Sequence, residues 1–453
     1  MTATAVLDIG KTNVKVVLFD AAGTVLWQKS QANTTLPAPP YQHPDVDLIW
    51  RFVLESLREA NRAHKIEAIV PTAHGAAGAL ISLVDLVLPV LDYEDKGPEG
   101  VEDWYANIRP PFDESLSPPA AGGLNLARQF AFQKWRFPDE FSRVKHLLTY
   151  SQYWSWRLSG VAASEVTCLG CHTDLWVPQQ RRFSSVVTAL GIEHLFPPIR
   201  SASDVLGTIK PELAAATGLD PAACIICGIH DSNASLLPHL LGRKSPFTVI
   251  STGTWVILMS VGLAFERLDA TSDLYANVDA TGAPVPCARF MGGREYAIIA
   301  DGRTESPDAA SLTRVIASGT QALPSFTGQA GPYAKRRGEI TGPIAAADRA
   351  ALATLHVVLM TDDLLTRLGV KTGDLVIEGS FGRNAAYCEL LAALRLSQTV
   401  LVSPDQSGTA RGAALLAQWP QNQVIPADYA SKPLALPGLE DYRLAWRAAC
   451  RVQ

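Results

Sequence analysis

The sequence predicts an α/β protein built from two domains. A chain of 453 residues exceeds the size at which a single hydrophobic core stops growing, so two domains are the default. Two apolar stretches, residues 5–19 and 247–261, are each interrupted by a short turn containing glycine, which predicts one strand–turn–strand unit in each half. Between them the apolar run 224–227 leads to Asp231, as expected for a strand whose carboxyl end presents a ligand-binding side chain.

Composition and charge are those of an ordinary globular enzyme. The chain is 47% hydrophobic and 18% charged, with a formal net charge of −5 and no basic block, so we expect no nucleic-acid partner. The first residues lack a basic region and Asp8 interrupts the short apolar run there, which does not fit a signal peptide. No uninterrupted apolar stretch is long enough to span a bilayer. We therefore expect a cytoplasmic protein without a membrane partner.

Seven cysteines include two CxxC pairs. Residues 168–172 match the attachment pattern of c-type haem, and Cys224 and Cys227 form the second pair. Haem attachment requires an oxidising compartment, and the two pairs lie much farther apart than in a compact zinc ribbon. Cys224 and Cys227 also fall in the predicted buried strand, where cysteine behaves as a small apolar residue. We interpret both pairs as structural.

The first strand–turn–strand unit carries polar residues in an apolar context. Gly10, Lys11, Thr12 and Asn13 form its turn. A glycine turn between two strands can direct backbone N–H groups at a phosphate, which favours a functional reading over a plain hairpin.

The first half continues with a helix and a strand that leads to two candidate binding residues. Helical spacing of apolar residues predicts a helix over 48–63, with Asp47 as its N-cap. The strand predicted over 66–70 leads to His74 and Gly75, at the carboxyl end where α/β proteins bind ligands. A lone histidine is more often structural, so this pair is weak by itself.

A dense polar and aromatic cluster, residues 91–96, contains Tyr93 and Asp95. It is either a solvated turn or the edge of a sugar-binding site. The apolar run 86–90 before it predicts a short strand at a sheet edge, because it includes a proline. Helical spacing then predicts helices around 124–135 and 140–156.

Asp231 has two interpretations. It follows a strand and precedes a small-residue segment that can open a helix, so it fits an N-cap. It also stands at the end of a buried strand, where a catalytic carboxylate is expected. His230 and Ser232 flank it, and these residues alone do not decide between the two readings.

The second half repeats the pattern of strands and glycine turns. Gly253 and Thr254 lie in the turn of the second unit, and the pair 292–293 predicts a further tight turn. Gly379 and Ser380 begin a glycine-rich turn after a strand, where the backbone can approach a nucleotide closely. The other predicted elements are helices over 348–368, 385–394 and 408–417 and a strand over 400–402.

Taken together, these segments resemble the FGGY carbohydrate kinases of the actin-like ATPase and sugar kinase superfamily. The resemblance rests on DIGKTNVKVVLFD (8–20), LDYEDK (91–96), CGIHDSNAS (227–235), STGTW (251–255) and the pair EGSFGRN (378–384) with GTARGAALLA (408–417). Their order and spacing match the family over nearly the whole chain. The resemblance implies two ribonuclease-H-like α/β domains, 1–240 and 241–453, with a nucleotide cleft between them, ATP as co-substrate and Mg²⁺ as cofactor.

The resemblance also implies roles for single residues. Asp231 looks like the general base that accepts the proton of a sugar hydroxyl, and Asp8 with Asp231 would face magnesium through water. ATP would be bound by Gly10, Lys11, Thr12, Asn13, Gly253, Thr254, Gly379, Ser380 and Asn384. The sugar would be bound by His74, Gly75, Tyr93, Asp95, Asp231 and Ser232.

Departures from the family pattern bear on the substrate. Lys11 stands where many members carry a small or hydroxyl residue, and the glutamine often found beside the base is absent. Residues 124–128 and 291–296 differ from the two family signatures. These features argue against glycerol or xylulose kinase, and the Gly-x-His-Asp form looks more like the kinases of rhamnulose and fuculose. A non-catalytic sugar or nucleotide sensor on the same fold is the alternative, and a homodimer remains open.

Overall fold

The computed structural model describes residues 2–37, 39–328, 330–404, 408–420 and 427–452, which divide into two compact units. Unit 1 lies within Met1–Gly242, Ala276–Pro284 and Ser407–Val424, and unit 2 within Arg243–Tyr275, Val285–Gln406 and Ile425–Gln453. The sequence-based division at 240/241 is contiguous, whereas unit 1 also takes up two later segments of the chain.

The strands of the first half alternate with helices that cover its sheet. The strands up to residue 242 are β1 (Thr2–Ile9), β2 (Asn13–Phe19), β3 (Val25–Ala32), β4 (Thr35–Leu36), β5 (His43–Pro44), β6 (Lys65–Ala73), β7 (Gly78–Ile81), β8 (His146–Thr149), β9 (Ser164–Glu165), β10 (Trp176–Val177), β11 (Arg182–Phe183), β12 (Ile199–Arg200), β13 (Val205–Thr208), β14 (Cys224–Ile226) and β15 (Ile229–His230). The helices are α1 (Val46–Ala63), α2 (Glu102–Ile108), α3 (Phe112–Ser115), α4 (Leu126–Arg136), α5 (Pro138–Phe141), α6 (Tyr150–Ser159), α7 (Val166–Leu169), α8 (Ser185–Leu190), α9 (Pro211–Thr217) and α10 (Asp231–Gly242).

The second half has the same alternation. Its strands are β16 (Phe247–Thr252), β17 (Val256–Val261), β18 (Leu274–Val278), β19 (Pro284–Phe290), β20 (Gln321–Leu323), β21 (Glu339–Thr341), β22 (Asp374–Gly379), β23 (Val400–Val402) and β24 (Tyr429–Ala430). Its helices are α11 (Gly292–Ala300), α12 (Ala309–Ser318), α13 (Arg349–Leu368), α14 (Ala385–Leu394), α15 (Gly408–Leu415) and α16 (Leu439–Val452).

The main sheet of unit 1 combines an antiparallel meander with parallel strands. Its order is β13-β14-β6-β1-β2-β3, with β15 also paired to β6. β1, β2 and β3 are antiparallel neighbours, while β6 runs parallel to β1, β14 and β15. The parallel strands end at one edge of the sheet, where ligand sites of α/β proteins form. One face packs on α1 and α6 through a fully buried apolar core that includes Leu7, Val16, Val53 and Leu57.

The main sheet of unit 2 repeats this arrangement. In the order β18-β19-β17-β16-β22-β23-β24, the strands β19, β17 and β16 are antiparallel neighbours and β22 and β23 run parallel to β16. The long helix α13 is buried along most of its length, and Leu355 and Leu359 pack in the same core as Ile250 and Leu258. Both units therefore have the predicted α/β architecture, and the two strand–turn–strand predictions are confirmed.

Four local predictions were wrong. The N-cap of α1 is Asp45, whose carboxylate accepts a hydrogen bond from the Leu48 amide, and not Asp47, which lies inside the first turn. The run 86–90 forms only an isolated bridge from Leu86. The helix predicted around 140–156 is interrupted by the strand β8, and residues 292–293 open the helix α11 instead of forming a turn.

Candidate active site

The turn between β1 and β2 is held by its own backbone and by one neighbouring side chain. The Gly10 amide donates a hydrogen bond to the Asn13 carbonyl at 2.9 Å. Asn33 donates from its side-chain amide to the Gly10 carbonyl at 2.8 Å and from its backbone to the Thr12 carbonyl at 2.9 Å. Thr12 and Asn13 are exposed at the tip. The turn therefore presents short polar side chains and backbone on a braced support.

Lys11 does not extend into solvent from this turn. Its ammonium group forms an ion pair with Asp92 and a second one with Glu94 at 3.3 Å. The same nitrogen lies 5.0 Å from the centre of the Tyr93 ring. The turn predicted to bind phosphate is therefore joined to the polar cluster 91–96 by one side chain.

Asp231 and Asp8 stand at the same edge of the unit 1 sheet. In the register of the parallel strands, Asp8 and Ile229 are both paired with Thr72 of β6. Asp231 follows β15 directly and begins α10, with its side chain about one-third exposed. Its Oδ1 accepts from the Ser232 amide at 2.6 Å and lies 3.1 Å from Nε2 of His230. Both sequence readings of Asp231 are compatible with this position, because a helix start and a strand end meet there.

The charge of Asp231 reaches three of the residues that the sequence singled out in this unit. Burial raises the pKa of Asp8 to about 6; Lys15 opposes this, and Asp231 adds to it. Burial, with Glu94, Asp92 and Asp231, raises the pKa of Tyr93 to about 12. Burial lowers the pKa of His74, against the Gly75 carbonyl and the charge of Asp231. Asp231 is therefore the common electrostatic neighbour of these candidate site residues.

His74 is half-buried and its ring is enclosed by aromatic neighbours. Its Nδ1 donates a hydrogen bond to the Gly75 carbonyl at 2.9 Å. The ring lies 5.8 Å from that of Tyr93 and 5.3 Å from that of Tyr150, between ring centres. His74 thus belongs to the cluster around Asp231, whereas His230 lies behind Asp231 and is buried.

A buried thiol–imidazole pair supports Asp231 from behind. Sγ of Cys171 lies 3.3 Å from Nε2 of His230, and the Asn233 carbonyl oxygen accepts from His230 Nδ1 at 3.0 Å. Asn233 donates its amide to the Val278 carbonyl, which fixes which of its atoms faces His230. Burial alone would lower the pKa of His230, but Cys171 and Asp231 raise it; burial alone would raise the pKa of Cys171, but His230 and His172 lower it.

His172 occupies a strained backbone position next to this pair. Its φ is +44°, in the left-handed region that residues other than glycine rarely adopt. Its Nδ1 donates to the Leu124 carbonyl at 3.2 Å, and its own carbonyl accepts from Asn125 at 2.9 Å. The His172 side chain is half-buried. His74 and His172 are therefore partly exposed, whereas His230 is buried.

Asp95 and Ser232 use their polar atoms within the protein. The Asp95 carboxylate accepts from the Gln42 amide at 2.9 Å and from the Gly97 amide at 2.7 Å, which closes the loop around it. The Ser232 hydroxyl lies 3.3 Å from Asp231 and orients its carboxylate. Both residues therefore shape the site through neighbours; direct contact with a sugar stays a prediction.

In unit 2 the second glycine turn and the turn after β22 are neighbours. β16 and β22 are parallel, with Thr252 paired to Gly379. Gly379 has φ of +83°, and a Cβ there would lie 1.9 Å from the Thr252 carbonyl oxygen, so only glycine fits. Gly253 and Thr254 follow Thr252 directly. The Ser380 hydroxyl donates a hydrogen bond to the Thr252 carbonyl at 3.4 Å. The structure thus brings four of the predicted ATP residues together.

A cavity of about 630 Å³ opens beside this turn in unit 2. Gly379, Gly382 and Arg383 line one side, and residues 429–432 line another. Asn384 is not part of the lining; it caps α14, accepting from the Tyr387 amide at 3.1 Å, and donates to Thr354. The cavity has the size of a nucleoside site, since small-molecule pockets typically occupy about 300–1,000 Å³.

Magnesium would find fitting ligands at the edge of the unit 1 sheet. Among the described residues no group of three or more His, Cys, Asp or Glu side chains is arranged to hold a metal. Mg²⁺ bound with a nucleotide, however, uses only one or two carboxylates besides water and phosphates. Asp8 and Asp231 provide two carboxylates within electrostatic reach of each other, because burial raises the pKa of Asp8 and the charge of Asp231 adds to that rise.

The seven cysteines, all within the part of the chain that the structure describes, form no disulfide. Within the same residues, no helix combines the length and apolar character needed to cross a membrane.

Both halves of the chain are similar to known proteins. Residues 133–238 match the N-terminal domain of the FGGY family of carbohydrate kinases, and residues 244–425 match the carbohydrate kinase FGGY C-terminal domain. A solved carbohydrate kinase from Novosphingobium aromaticivorans is 33% identical with a TM-score of 0.91, and the match covers 99% of this chain and 98% of that one. These similarities define a two-domain sugar-kinase fold. The chain belongs to the FGGY family of carbohydrate kinases, as the sequence motifs predicted.

Two further relatives are more distant. L-fuculokinase of Escherichia coli K12 is 27% identical over 265 residues, which is 56% of this chain and 55% of that protein. The match therefore spans about half the length of this curated relative. The ligand-bound xylulose kinase of Lactobacillus acidophilus has a TM-score of 0.82 at 17% identity, over 100% of this chain and 97% of that one, which supports the fold alone.

Sequence reasoning missed several members of the unit 1 cluster. Asp92, the partner of Lys11, lies within the cluster 91–96, from which the sequence singled out only Tyr93 and Asp95. Cys171 and His172 belonged to a pattern read as haem-like or structural, and Asn33 carried no signal at all. The one signal in the sequence for Asp92 was Lys11, a charged residue at an unusual motif position, because a partly buried charge needs a partner of opposite charge.

Proposed function

We propose that the protein transfers the γ-phosphate of ATP to a hydroxyl of a small sugar, with Asp231 as the general base. The observation that supports this most directly is the position of Asp231: it is partly exposed, begins a helix at the edge of the sheet, and its charge is felt by Asp8, His74 and Tyr93. A carboxylate among an aromatic ring, an imidazole and a second carboxylate is suited to hold and deprotonate a polyhydroxylated substrate.

In this mechanism the base acts only on the acceptor. As the sugar oxygen attacks the γ-phosphorus, Asp231 accepts the hydroxyl proton, and the bond to the β-phosphate oxygen breaks with its electron pair leaving on ADP. The Ser232 amide and hydroxyl bind Oδ1 and so orient the carboxylate of Asp231. Phosphoryl transfer requires little covalent work from the protein, so alignment and charge neutralisation account for most of the remaining rate.

The nucleotide is assigned to three turns. The braced turn Gly10–Asn13 in unit 1 would receive phosphate oxygens, and so would Gly253 and Thr254 in unit 2. The adenosine would occupy the cavity beside Gly379, where the absence of a side chain permits close approach. Asp8 and Asp231 would hold Mg²⁺ through water, and when bound the ion neutralises charge on the phosphates. ATP chemistry of this kind fits the cytoplasmic location expected from the sequence.

For the sugar we propose a ketose of the rhamnulose or fuculose type. The support is the Gly-x-His-Asp sequence at Asp231 and the similarity to L-fuculokinase. The local charge agrees with a neutral substrate, because the cluster contains Asp8, Asp231 and Asp92, and Lys11 beside Asp92 is engaged by two carboxylates.

The decisive experiment measures ADP release from Mg-ATP over a panel of ketoses, aldoses and polyols that includes L-fuculose and L-rhamnulose. We expect one sugar to stimulate turnover strongly, and Asp231→Asn to lower kcat with that sugar by about 10²–10⁴-fold while ATP still binds. Asp103→Asn is the matched control, since Asp103 is an exposed carboxylate in the first turn of another helix of the same unit.

Two outcomes would count against the proposal. If ATP binds but no sugar stimulates turnover, a non-catalytic sensor becomes the better interpretation. If Asp231→Asn retains full activity, Asp231 is not the base.

A further inference from the structure

Lys11 is the feature of the candidate site that family resemblance does not account for. It occupies the tip of a turn predicted to bind phosphate, yet its ammonium group is already bound by two carboxylates of another segment. It also lies over the ring of Tyr93. These three contacts all connect residue 11 to residues 92–94, about eighty positions away.

The partner at the far end is buried. The Asp92 side chain is only 4% exposed, and besides Lys11 its oxygens accept from the Thr35 hydroxyl at 3.1 Å and the Glu94 amide at 3.0 Å. Without Lys11 this buried carboxylate would have no cationic partner among these contacts. An uncompensated buried charge is strongly unfavourable, so the segment around it would rearrange.

Each end of this ion pair also shapes a different part of the site. At one end, Lys11 is part of the turn that Asn33 braces through Gly10 and Thr12. At the other end, the bond from the Glu94 amide to Asp92 fixes the segment that carries Tyr93. The Tyr93 carbonyl in turn accepts from the Gly123 amide at 2.9 Å.

We propose that Lys11 is a positioning residue that locks the phosphate turn to the sugar edge through Asp92. This inference rests on the proposed function for the roles of the two segments, phosphate binding and sugar binding. The ion pair that links them is a property of unit 1 alone. The pair holds the turn 10–13 and the segment 92–94 at a fixed separation, so that the acceptor hydroxyl and the γ-phosphate meet in line. A lysine that only contacted phosphate would affect the nucleotide alone.

The test is a double-mutant cycle with Lys11→Met, Asp92→Asn and the combined variant, and Lys11→Arg as the conservative replacement. Lys29→Met is the matched control, because Lys29 forms a 2.9 Å pair with Glu59 in the same unit with both side chains more than one-third exposed. Exposed pairs of this kind contribute little. For each protein, KM for ATP, KM for the sugar and kcat are measured.

We expect each single variant to raise both KM values by about tenfold, since Lys11→Met leaves the buried Asp92 without its cation and Asp92→Asn leaves Lys11 with only the exposed Glu94. The combined variant should be no worse than the worse single one, which corresponds to a coupling of about tenfold or more between the two positions. Lys11→Arg should retain most of the activity and Lys29→Met all of it. If Lys11→Met raises KM for ATP alone and Asp92→Asn lowers it, Lys11 is a direct phosphate ligand and the inference is wrong. A loss of thermal stability with unchanged KM values would also overturn it.

A second measurement separates this inference from the proposed function. Amide hydrogen exchange is followed without any ligand over residues 9–14 and 91–97. We expect Lys11→Met to accelerate exchange at 91–97 and Asp92→Asn to accelerate it at 9–14, each at the opposite end of the pair. Acceleration confined to the mutated segment contradicts the link even if the wild-type protein phosphorylates no sugar in the panel.

Discussion

At the scale of single residues, Gly75 shows how closely the site is packed behind its surface. A Cβ at this position would lie 2.6 Å from Sγ of Cys171 and 2.8 Å from Nε2 of His230. Both neighbours are fully or almost fully buried, and His230 is held by Asn233, so neither can move away easily. The absence of a side chain at Gly75 leaves room for the pair that supports Asp231, and the sugar contact suggested by the sequence stays a prediction.

Gly75→Ala should therefore disturb Asp231, the proposed base, without touching it. The added methyl group displaces His230, which lies 3.1 Å from Asp231, and we expect kcat to fall by about tenfold or more, with a smaller change in KM for ATP. Steady-state kinetics with the sugar found in the panel provide the measurement. Gly100→Ala is the control, because a Cβ there has no neighbour within 4 Å. Equal kinetics for the two variants would show that the close approach is unimportant.

The same residues show what sequence could predict at this scale. Asp231 and the turn at Gly10 were identifiable because each stands in a short motif next to a strand. The partner of Lys11 was not, since Asp92 comes about eighty positions later and only the fold brings the two together. The bonds that Asp95 accepts from the Gln42 and Gly97 amides were not predicted either, because only the folded loop brings these backbone donors to the carboxylate; its contact with sugar stays a prediction.

At the scale of elements, a buried acid–base pair joins two helices and a loop in unit 2. Glu295 of α11 and His356 of α13 approach to 2.6 Å, and both are almost fully buried. Glu295 also accepts from the Ser325 hydroxyl and the Phe326 amide, each at 3.0 Å. His356 donates from Nδ1 to the Ala322 carbonyl, so its other nitrogen is directed at the carboxylate. The pair fixes α11, whose first residues include Gly293, bonded to the Thr254 carbonyl.

This pair gives a pH dependence of stability with a defined sign. Burial alone would raise the pKa of Glu295, but the bond and charge of His356 and the bonds from Ser325 and Phe326 lower it below its ordinary value of 4.5. A lowered pKa in the folded state contributes stability above pH 4.5, and that contribution is lost as the pH falls through the folded-state pKa.

Glu295→Gln should consequently lower the melting temperature most at neutral pH. We expect the variant to lose about 2 kcal/mol in free energy of unfolding at pH 7, which lowers the melting temperature of a unit of this size by about 4–8 °C. Below pH 4.5 the difference in melting temperature between the variant and the wild type should narrow. Thermal denaturation followed by circular dichroism between pH 3.5 and 7.5 measures it, with Glu266→Gln, an exposed carboxylate of the same unit, as control. A gap that is constant or widens toward low pH contradicts the ionic role of Glu295.

Sequence patterns also misplaced some elements for physical reasons. The strand β8 was read as part of a helix because its four residues are flanked by helices α5 and α6, and so short an apolar run has no distinct period. The pair 292–293 was read as a turn because two glycines usually mark one. Here the glycines allow the start of α11 to pack tightly: a Cβ on Gly293 would lie 2.1 Å from the Gly253 carbonyl oxygen.

At the scale of the whole molecule, unit 1 is not a contiguous stretch of sequence. Helix α15, from the C-terminal part of the chain, packs against α10 so closely that a Cβ on Gly412 would lie 1.7 Å from the Ala234 carbonyl oxygen. The Ser235 and Thr409 hydroxyls are 2.7 Å apart. A sequence reading that cuts the chain once cannot anticipate this, because small-residue helices such as 408–417 carry no sign of which sheet they will cover.

The returning segments complete the second face of the unit 1 sheet. Ala410, Ala413 and Leu416 bury a cluster that includes Val6, Val17, Phe19 and Val70 of the sheet strands. Segment 276–284 adds the Val278 carbonyl that holds Asn233, and its Ala276 amide donates to the Leu116 carbonyl at 3.1 Å. Without both segments, an apolar face of the sheet and the support of His230 would be open to water.

We therefore expect a fragment of residues 1–242 not to fold cooperatively by itself, although it contains the first strand–turn–strand unit, Asp231 and all of α10. The loss of apolar burial on one face of a sheet exceeds the small net stability typical of a domain. Near-UV circular dichroism and calorimetry test this, with the fragment co-expressed with residues 243–453 as the matched control. We expect the co-expressed pair to recover the near-UV signal and a cooperative transition. A single cooperative transition of the isolated fragment, near the temperature of the full chain, would show that the contiguous division is the physical one.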